Sequence, residues 1–600
     1  MRGNNCFLYV IVNKKVFGYT IDKSYERQVM EMRKVIPIGH EDFKRIIDDD
    51  LYYVDKTLMI KDIVDAGTTV GLFTRPRRFG KTLNLSMIRR FFEDERDREG
   101  NLIDNGYLFD SLAISDAGET YTSMQQQHPV IKLSLKSAKQ RDYDMAYLML
   151  KKEIVSEFDR HAYILQGDSL NQEEQQNFRK IMAGKNDDGL YYDAIRTLSQ
   201  YLKKYHGKNA VILIDEYDVP LENAYFRGFY DEMIDFIRSL FESALKTNDS
   251  LEFGIITGCL RISRESIFTG LNNLFIQSLR GTGFGEAFGF TQAEVDAMLG
   301  YYGLEEKREE MKDWYDGYLI DGIEIYNPWS VLNYVKKADL NPKALPEAYW
   351  ANTSSNDIIR ELVENADKET REEMERLING ETIEKPIHEE ITYGDIHQSM
   401  DNLWNFLFFT GYMKNCGERL DGNQIYMKMA IPNREICSIY EYVILNWFDR
   451  KLKGTELGTL YAAIENGDAH TLEDFVTEQL QDTISFFDYA ENYYHGFLSG
   501  LLTGMPGFQV LSNRENGSGR PDLIIKSSRI RKVGKAMIIE VKLADSVQAM
   551  EAGCEKALQQ IEEKHYAEDL LKEGYQTIMK YGICFYKKEC MVQIGESQAK

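Results

Sequence analysis

Residues 69–82, TVGLFTRPRRFGKT, carry an apolar strand into a loop that ends Gly80-Lys81-Thr82, and a helical stretch, LNLSMIRRFF, follows at once. Further along, AVILIDEYD (210–218) is a second apolar strand, ending in Asp215-Glu216. VIKLSL (130–135) and LEFGIITG (251–258) add two more strands, with helical periodicity over 82–93 and 228–246. Apolar strands alternating with helices imply a mostly parallel sheet, so residues 33–285 are expected to form an α/β domain of the P-loop type. Residues 286–482 read as a mainly helical middle region, whose charged runs, such as EEKREEMKD (305–313), fit exposed helix faces. Over 483–600 a compact α/β pattern returns, with helices at 484–504 and 548–564 and strands near 508–513, 521–526, 536–542 and 580–586. Residues 1–32 precede the first convincing domain sequence and are expected to be an extension with little role, or an untranslated stretch ahead of Met30 or Met32.

A phosphate-binding loop needs inward-facing backbone N–H groups, a helix N-terminus and a lysine that reaches the outer phosphates. The usual spacing is G-x-x-x-x-G-K-[ST]. Gly80, Lys81 and Thr82 supply its second half, but Arg75 stands where the first glycine belongs and Pro76 follows. An arginine does not take positive φ cheaply, so the start of the loop must differ from the usual one. Asp215, at a strand tip, is expected to bind Mg²⁺ together with Thr82, and Glu216 to orient and deprotonate an attacking water. Thr257, at the tip of the 251–258 strand, is a candidate sensor of the outer phosphate. Arg75, Arg78, Arg261 and Arg264 complete the expected ATP-binding set. The plainer alternative is that Asp215 and Glu216 cap a helix and Thr257 merely ends a strand.

A second paired signal lies near the C-terminus, GRPDLII (519–525) followed by MIIEVK (537–542). Metal-dependent phosphodiester hydrolysis needs carboxylates converging on Mg²⁺ and a lysine to position water or neutralise charge. Glu540 and Lys542 are two apart on a strand, so they share a face, and a paired strand brings Asp522 beside them. Val541 then faces the core. Glu491, on the preceding helix, is a candidate to complete the metal shell, and Gln560 and Tyr566 are candidates for contact with a phosphate backbone.

Net charge is −24, which argues against indiscriminate nucleic-acid binding. Two basic islands remain, at 74–90 and 514–542, and both coincide with the chemical motifs. The seven cysteines have no metal-finger spacing and fit reduced thiols in a cytoplasm. No run approaches the ~18 apolar residues of a membrane span, and CFLYVIV (6–12) lacks the cleavage pattern of a signal peptide.

With these residues in view, the stretch YYVDKTLMIKDIVDAGTTVGLFTRPRRFGKTLNLSMIRRFFE (52–93) resembles the bacterial AAA-ATPase-like proteins that carry a C-terminal PD-(D/E)XK nuclease domain. LIDEYDVP (213–220), TGCLRISRESIFTGLNN (257–273), YWANTSSNDII (349–359), NRENGSGRPDLII, IIEVKLA and ALQQIEEKHYAEDL extend the resemblance over roughly 33–590. It implies an ATP-binding P-loop module and a restriction-endonuclease-like C-terminal fold. It carries phosphate contact to Lys81 and Thr82, Mg²⁺ to Asp215, and the nuclease roles to Asp522, Glu540 and Lys542. It also marks the missing first glycine as a family trait.

Two readings follow. One is an ATPase coupled to a Mg²⁺-dependent nuclease acting on nucleic acid, DNA before RNA. The other is a nucleotide-gated module whose nuclease fold binds nucleic acid or protein and cuts nothing. Retention of Asp522, Glu540 and Lys542 together favours the first, and the acidic chain mildly favours the second. Oligomeric state is left open by the sequence.

Overall fold

A computed structural model describes residues 6–12, 15–21, 33–184, 188–260, 267–268, 274–350, 357–388, 399–454, 457–481, 491–502, 504–512, 521–527 and 534–599. By packing, the chain divides into two compact units. One comprises residues 1–354, 385–427 and 432–435, and the other residues 355–384, 428–431 and 436–600. Residues of the middle region therefore occur in both.

The first unit is built on five strands, β1 (Val70–Thr74), β2 (Val130–Ser134), β3 (Ala210–Asp215), β4 (Leu251–Gly258) and β5 (Leu274–Gln277). Their order is β2-β3-β4-β1-β5 and every pairing is parallel. β1 and β3 are buried along their whole length, as strands covered on both faces must be, which explains why they read as unbroken apolar runs. Helix α1 (Lys81–Phe92) follows β1 and sets Leu85, Ile88, Phe91 and Phe92 into a core with Phe73, Val211, Leu213 and Ile255. Helix α2 (Val219–Arg227) follows β3. β4 lies between β1 and β3, so the ends of all three strands meet at one sheet edge.

Beyond this sheet the middle region is mainly helical, as expected, and includes α3 (Pro328–Leu340). It also holds a small antiparallel sheet of Phe290–Thr291, Tyr318–Ile320 and Ile323–Tyr326 that periodicity did not reveal.

The second unit carries a mixed sheet in the order β6-β7-β8-β9-β10, formed by Phe508–Ser512, Leu523–Ser527, Lys535–Leu543, Thr577–Tyr586 and Glu589–Ala599. β8 and β9 are parallel and the other neighbours antiparallel. Helix α4 (Glu491–Leu502) precedes the sheet, and α5 (Met550–Glu563) with α6 (Tyr566–Glu573) makes the crossover that a parallel pair requires. The two faces of β8 are used differently. Met537, Ile539 and Val541 pack with Leu523, Ile583 and the α4 residues Tyr494 and Leu498. Ala536 and Ile538 pack with Ile561, Tyr566 and Leu570 of α5 and α6. By the two-residue period of a strand, Glu540 and Lys542 belong to this second face. Among the described residues no helix is long and apolar enough to cross a membrane.

Candidate functional sites

The loop between β1 and α1 accommodates its missing glycine by moving the left-handed positions downstream. Arg78 has φ 70° and Gly80 φ 83°, while Arg75 keeps ordinary backbone. Left-handed residues interleaved with ordinary ones are the backbone pattern from which anion-binding nests are built, and no side chain caps the N-terminus of α1.

Arg75 was expected to meet phosphate, and the structure corrects this. Its guanidinium is fully buried and donates to the carbonyls of Thr74 (2.9 Å), Gln277 (2.8 Å), Ser278 (2.9 Å) and Phe284 (3.3 Å). Arg75 thus ties the loop to the end of β5, and burial pulls its basicity down to about 10. An ammonium offers three donors on one point and cannot span these carbonyls. Arg75→Lys is expected to destabilise the first unit by about 2–4 kcal/mol in urea unfolding. Unaltered stability would show that the carbonyls do not depend on the guanidinium.

The other loop residues are clasped by later parts of the same unit. Pro76 lies so close to Gly411 that a Cβ there would come within 2.7 Å. Trp350 Nε1 donates to Arg77 O at 3.3 Å, Arg78 lies over the Trp329 ring at 4.3 Å, and Phe79 meets Tyr318 edge-on at 5.0 Å. The basic island at 74–90 is largely engaged internally. Arg77 pairs with Glu222, Arg89 with Glu93 and Glu95, and Arg90 with Glu95.

Lys81 is buried, and its ammonium donates to Arg75 O (2.8 Å) and Pro76 O (2.9 Å) at the centre of the loop. Asp215, equally buried, is held on both sides. Thr82 Oγ1 donates to one carboxylate oxygen at 2.7 Å and Thr257 Oγ1 to the other at 2.6 Å. The structure therefore brings Gly80, Lys81, Thr82, Asp215 and Thr257 to one edge. Thr257 bears on Asp215 directly, a link that sequence spacing did not show. Glu216 follows in a left-handed backbone, φ 51°. Burial raises its carboxyl above the usual range, and the neighbouring Asp215 charge adds to this, against Lys136 and Lys81. Lys136, past the end of β2, was not anticipated at this site. Arg261 and Arg264 lie outside the described residues.

In the second unit Leu523 pairs with Ile539, so one step outward the antiparallel register sets Asp522 across from Glu540. Asp522 Oδ2 accepts from Val541 N at 2.8 Å. Glu540 Oε1 accepts from Lys542 Nζ at 3.2 Å and from Gln560 Nε2. Glu540 Oε2 is buried and has no hydrogen-bond partner. Burial, reinforced by Asp522, pushes the Glu540 carboxyl up to about 7. An unsatisfied carboxylate oxygen beside a second carboxylate fits a hard cation, which takes one or two such ligands and keeps several waters. Among the described residues no three His, Cys, Asp or Glu side chains form a metal cluster. Glu491 opens α4, but its side chain lies outside the described residues. Gln560 and Tyr566 are both at the site. Gln560 holds Glu540, and Tyr566 lies within electrostatic reach of Glu540, Asp522 and Lys542. His495, overlooked in the sequence, bonds the carbonyl of Asp522 at 2.8 Å. Val541 is buried on the opposite face, as expected.

These two sites coincide with the family matches. Residues 37–268 match the model of a predicted AAA-ATPase, and residues 489–594 match the PD-(D/E)XK nuclease superfamily. The chain is 26% identical over 555 residues to a protein of Azotobacter chroococcum mcd 1 described as "Uncharacterized protein in vnfD 5'region", covering 90% of this chain and 95% of that protein. No solved structure matches the chain.

Proposed function

From a chain that carries both a predicted AAA-ATPase domain and a PD-(D/E)XK nuclease superfamily domain, we propose an ATP-hydrolysing protein coupled to a Mg²⁺-dependent nuclease that acts on nucleic acid, DNA before RNA. The observation that carries the reading is the buried, unpartnered Oε2 of Glu540, a residue that the strand register sets across from Asp522, because a retired centre has no reason to keep so costly a carboxylate.

In the first unit, the N–H groups of the loop and of the α1 N-terminus receive phosphate oxygens, and Lys81 exchanges its two loop carbonyls for the outer phosphates. Thr82 and Asp215 are the residues that would hold Mg²⁺ on the nucleotide. Glu216, with its raised basicity, takes the proton of the attacking water. Arg78, exposed and stacked on Trp329, is the loop arginine placed to meet an anion. In the second unit Asp522 and Glu540 would hold the metal, which supplies an activated water and charge neutralisation at the scissile phosphate. Lys542 shares a face with Glu540 and orients that water, while Gln560 fixes which Glu540 oxygen is left for the cation.

The test is incubation of the pure protein with plasmid and with single-stranded DNA, with Mg²⁺ or Mn²⁺, with and without ATP. Cleavage that needs the metal and responds to ATP is expected. Nucleotide binding without cleavage under any of these conditions would leave the gated-module reading standing. A separate prediction concerns the ATPase. Glu216→Gln keeps the side chain's shape but removes the base, so hydrolysis is expected to fall by ~10²–10⁴-fold with ATP still bound. Hydrolysis at the wild-type rate would eliminate Glu216 as the base.

A further inference from the structure

Asp218 belongs to the IDEYD run but had no role in the reading above. It is buried, and its Oδ2 accepts two backbone bonds from the turn after β4, Cys259 N at 2.7 Å and Leu260 N at 3.0 Å. Tyr217, beside it, donates from its hydroxyl to Leu260 O at 2.5 Å and from its backbone N to Thr257 O at 3.1 Å. The turn is gripped from its other side by the phosphate-binding loop, with Arg75 N donating to Gly258 O at 3.1 Å and Lys81 Nζ lying 3.6 Å from Cys259 Sγ. Contact is so close that a Cβ at Gly258 would stand 2.5 Å from the Tyr217 ring and 2.8 Å from Asp218 Oδ1.

Glu216 sits between two fixed points. Behind it Asp215 is held by Thr82 and Thr257, and ahead of it Tyr217 and Asp218 are bolted to the end of β4 and the turn at Cys259-Leu260. Its left-handed backbone is one that a non-glycine residue keeps only when its surroundings impose it. We infer that Asp218 is a positioning residue of the ATP site, whose carboxylate ties the segment after β3 to the turn after β4 and so fixes where Glu216 stands. The inference rests on the ATPase reading for its consequence in hydrolysis, and on the geometry alone for the tie itself.

Two measurements on the full chain test it. In the first, ATP hydrolysis and the affinity of a fluorescent ATP analogue are compared for Asp218→Ala, Glu216→Gln and the double variant. Asp218→Ala is expected to lower hydrolysis about tenfold or more, with affinity within about threefold of wild type, and to cost nothing further once Glu216 is Gln. Multiplying losses in the double variant, or an affinity loss that accounts for the whole defect, would overturn the inference. Tyr217→Phe, which removes one hydroxyl, is the milder check should Asp218→Ala fold poorly, and about a threefold loss in the same sense is expected. The second measurement is maleimide labelling of Cys259, read by peptide mass spectrometry. Releasing the turn is expected to speed labelling about tenfold in Asp218→Ala, and an unchanged rate would refute the tie. Should the wild type hydrolyse no ATP, the ATPase reading fails, and labelling alone decides whether Asp218 holds the turn.

Discussion

Glu540→Gln is expected to abolish metal-dependent cleavage and, at pH 8 without metal, to make the second unit harder to unfold. Both effects come from one buried carboxylate. Its ionised form is needed to hold a cation, and with the carboxyl pushed up to about 7 that form is incomplete at neutral pH. Cleavage at limiting metal should therefore rise with pH through about 7 and level off above it. The stability effect runs the other way. An acid whose folded-state value is raised above the unfolded one loses stability as pH climbs from the ordinary ~4.3 toward the folded value, and the penalty is complete above it. The size of the shift corresponds to roughly 3–4 kcal/mol at most. Gln carries no such charge, so urea unfolding of the variant should exceed wild type at pH 8 and match it near pH 4. Equal stability at both values, with cleavage intact, would remove Glu540 from the centre.

Lys81→Ala should weaken ATP binding by about 100-fold, a loss of about 2–3 kcal/mol for one buried charge-assisted contact. Calorimetry gives the affinity directly. A thermal scan gives the same answer by linkage, since ATP should raise the melting temperature of the wild type and leave the variant unmoved at the same concentration. Cleavage assayed without ATP should persist, because the carboxylates of the second unit do not depend on this lysine. Unchanged ATP affinity would eliminate the loop as the phosphate site.

Much of this could be read in the sequence where the local signal and the fold agree. β1 and β3 were legible as apolar runs because both faces are covered, and Glu540 and Lys542 could be placed on one face because a strand alternates. Arg75 was misread, since a guanidinium in a phosphate loop suggests an anion, and only tertiary packing shows the carbonyls of residues 277, 278 and 284 waiting for it. The bridge from Thr257 to Asp215 was illegible because it depends on β4 lying between β1 and β3, and strand order leaves no mark on composition. β5 is only four residues long, too short to carry a period. β10 was missed for a different reason. Its hairpin with β9 turns at Lys587-Lys588, with Lys587 at φ 54°, where Asn-Gly would have announced the turn.

The approach of α5 to β9 has a consequence for reading relatives of this chain. A Cβ at Gly582 would come within 2.4 Å of the Cys554 carbonyl, and one at Gly553 within 2.3 Å of Cys584 Sγ. Gly582 is the register partner of Glu540, and α5 also carries Gln560. At Gly582 the obstacle is backbone, so a side chain there is expected to press the helix outward and to loosen the hold of Gln560 on the carboxylate. If the proposed nuclease reading holds, a homologue with a side chain at the position aligned with Gly582 is expected to cleave more slowly than this chain even with all three charged residues in place.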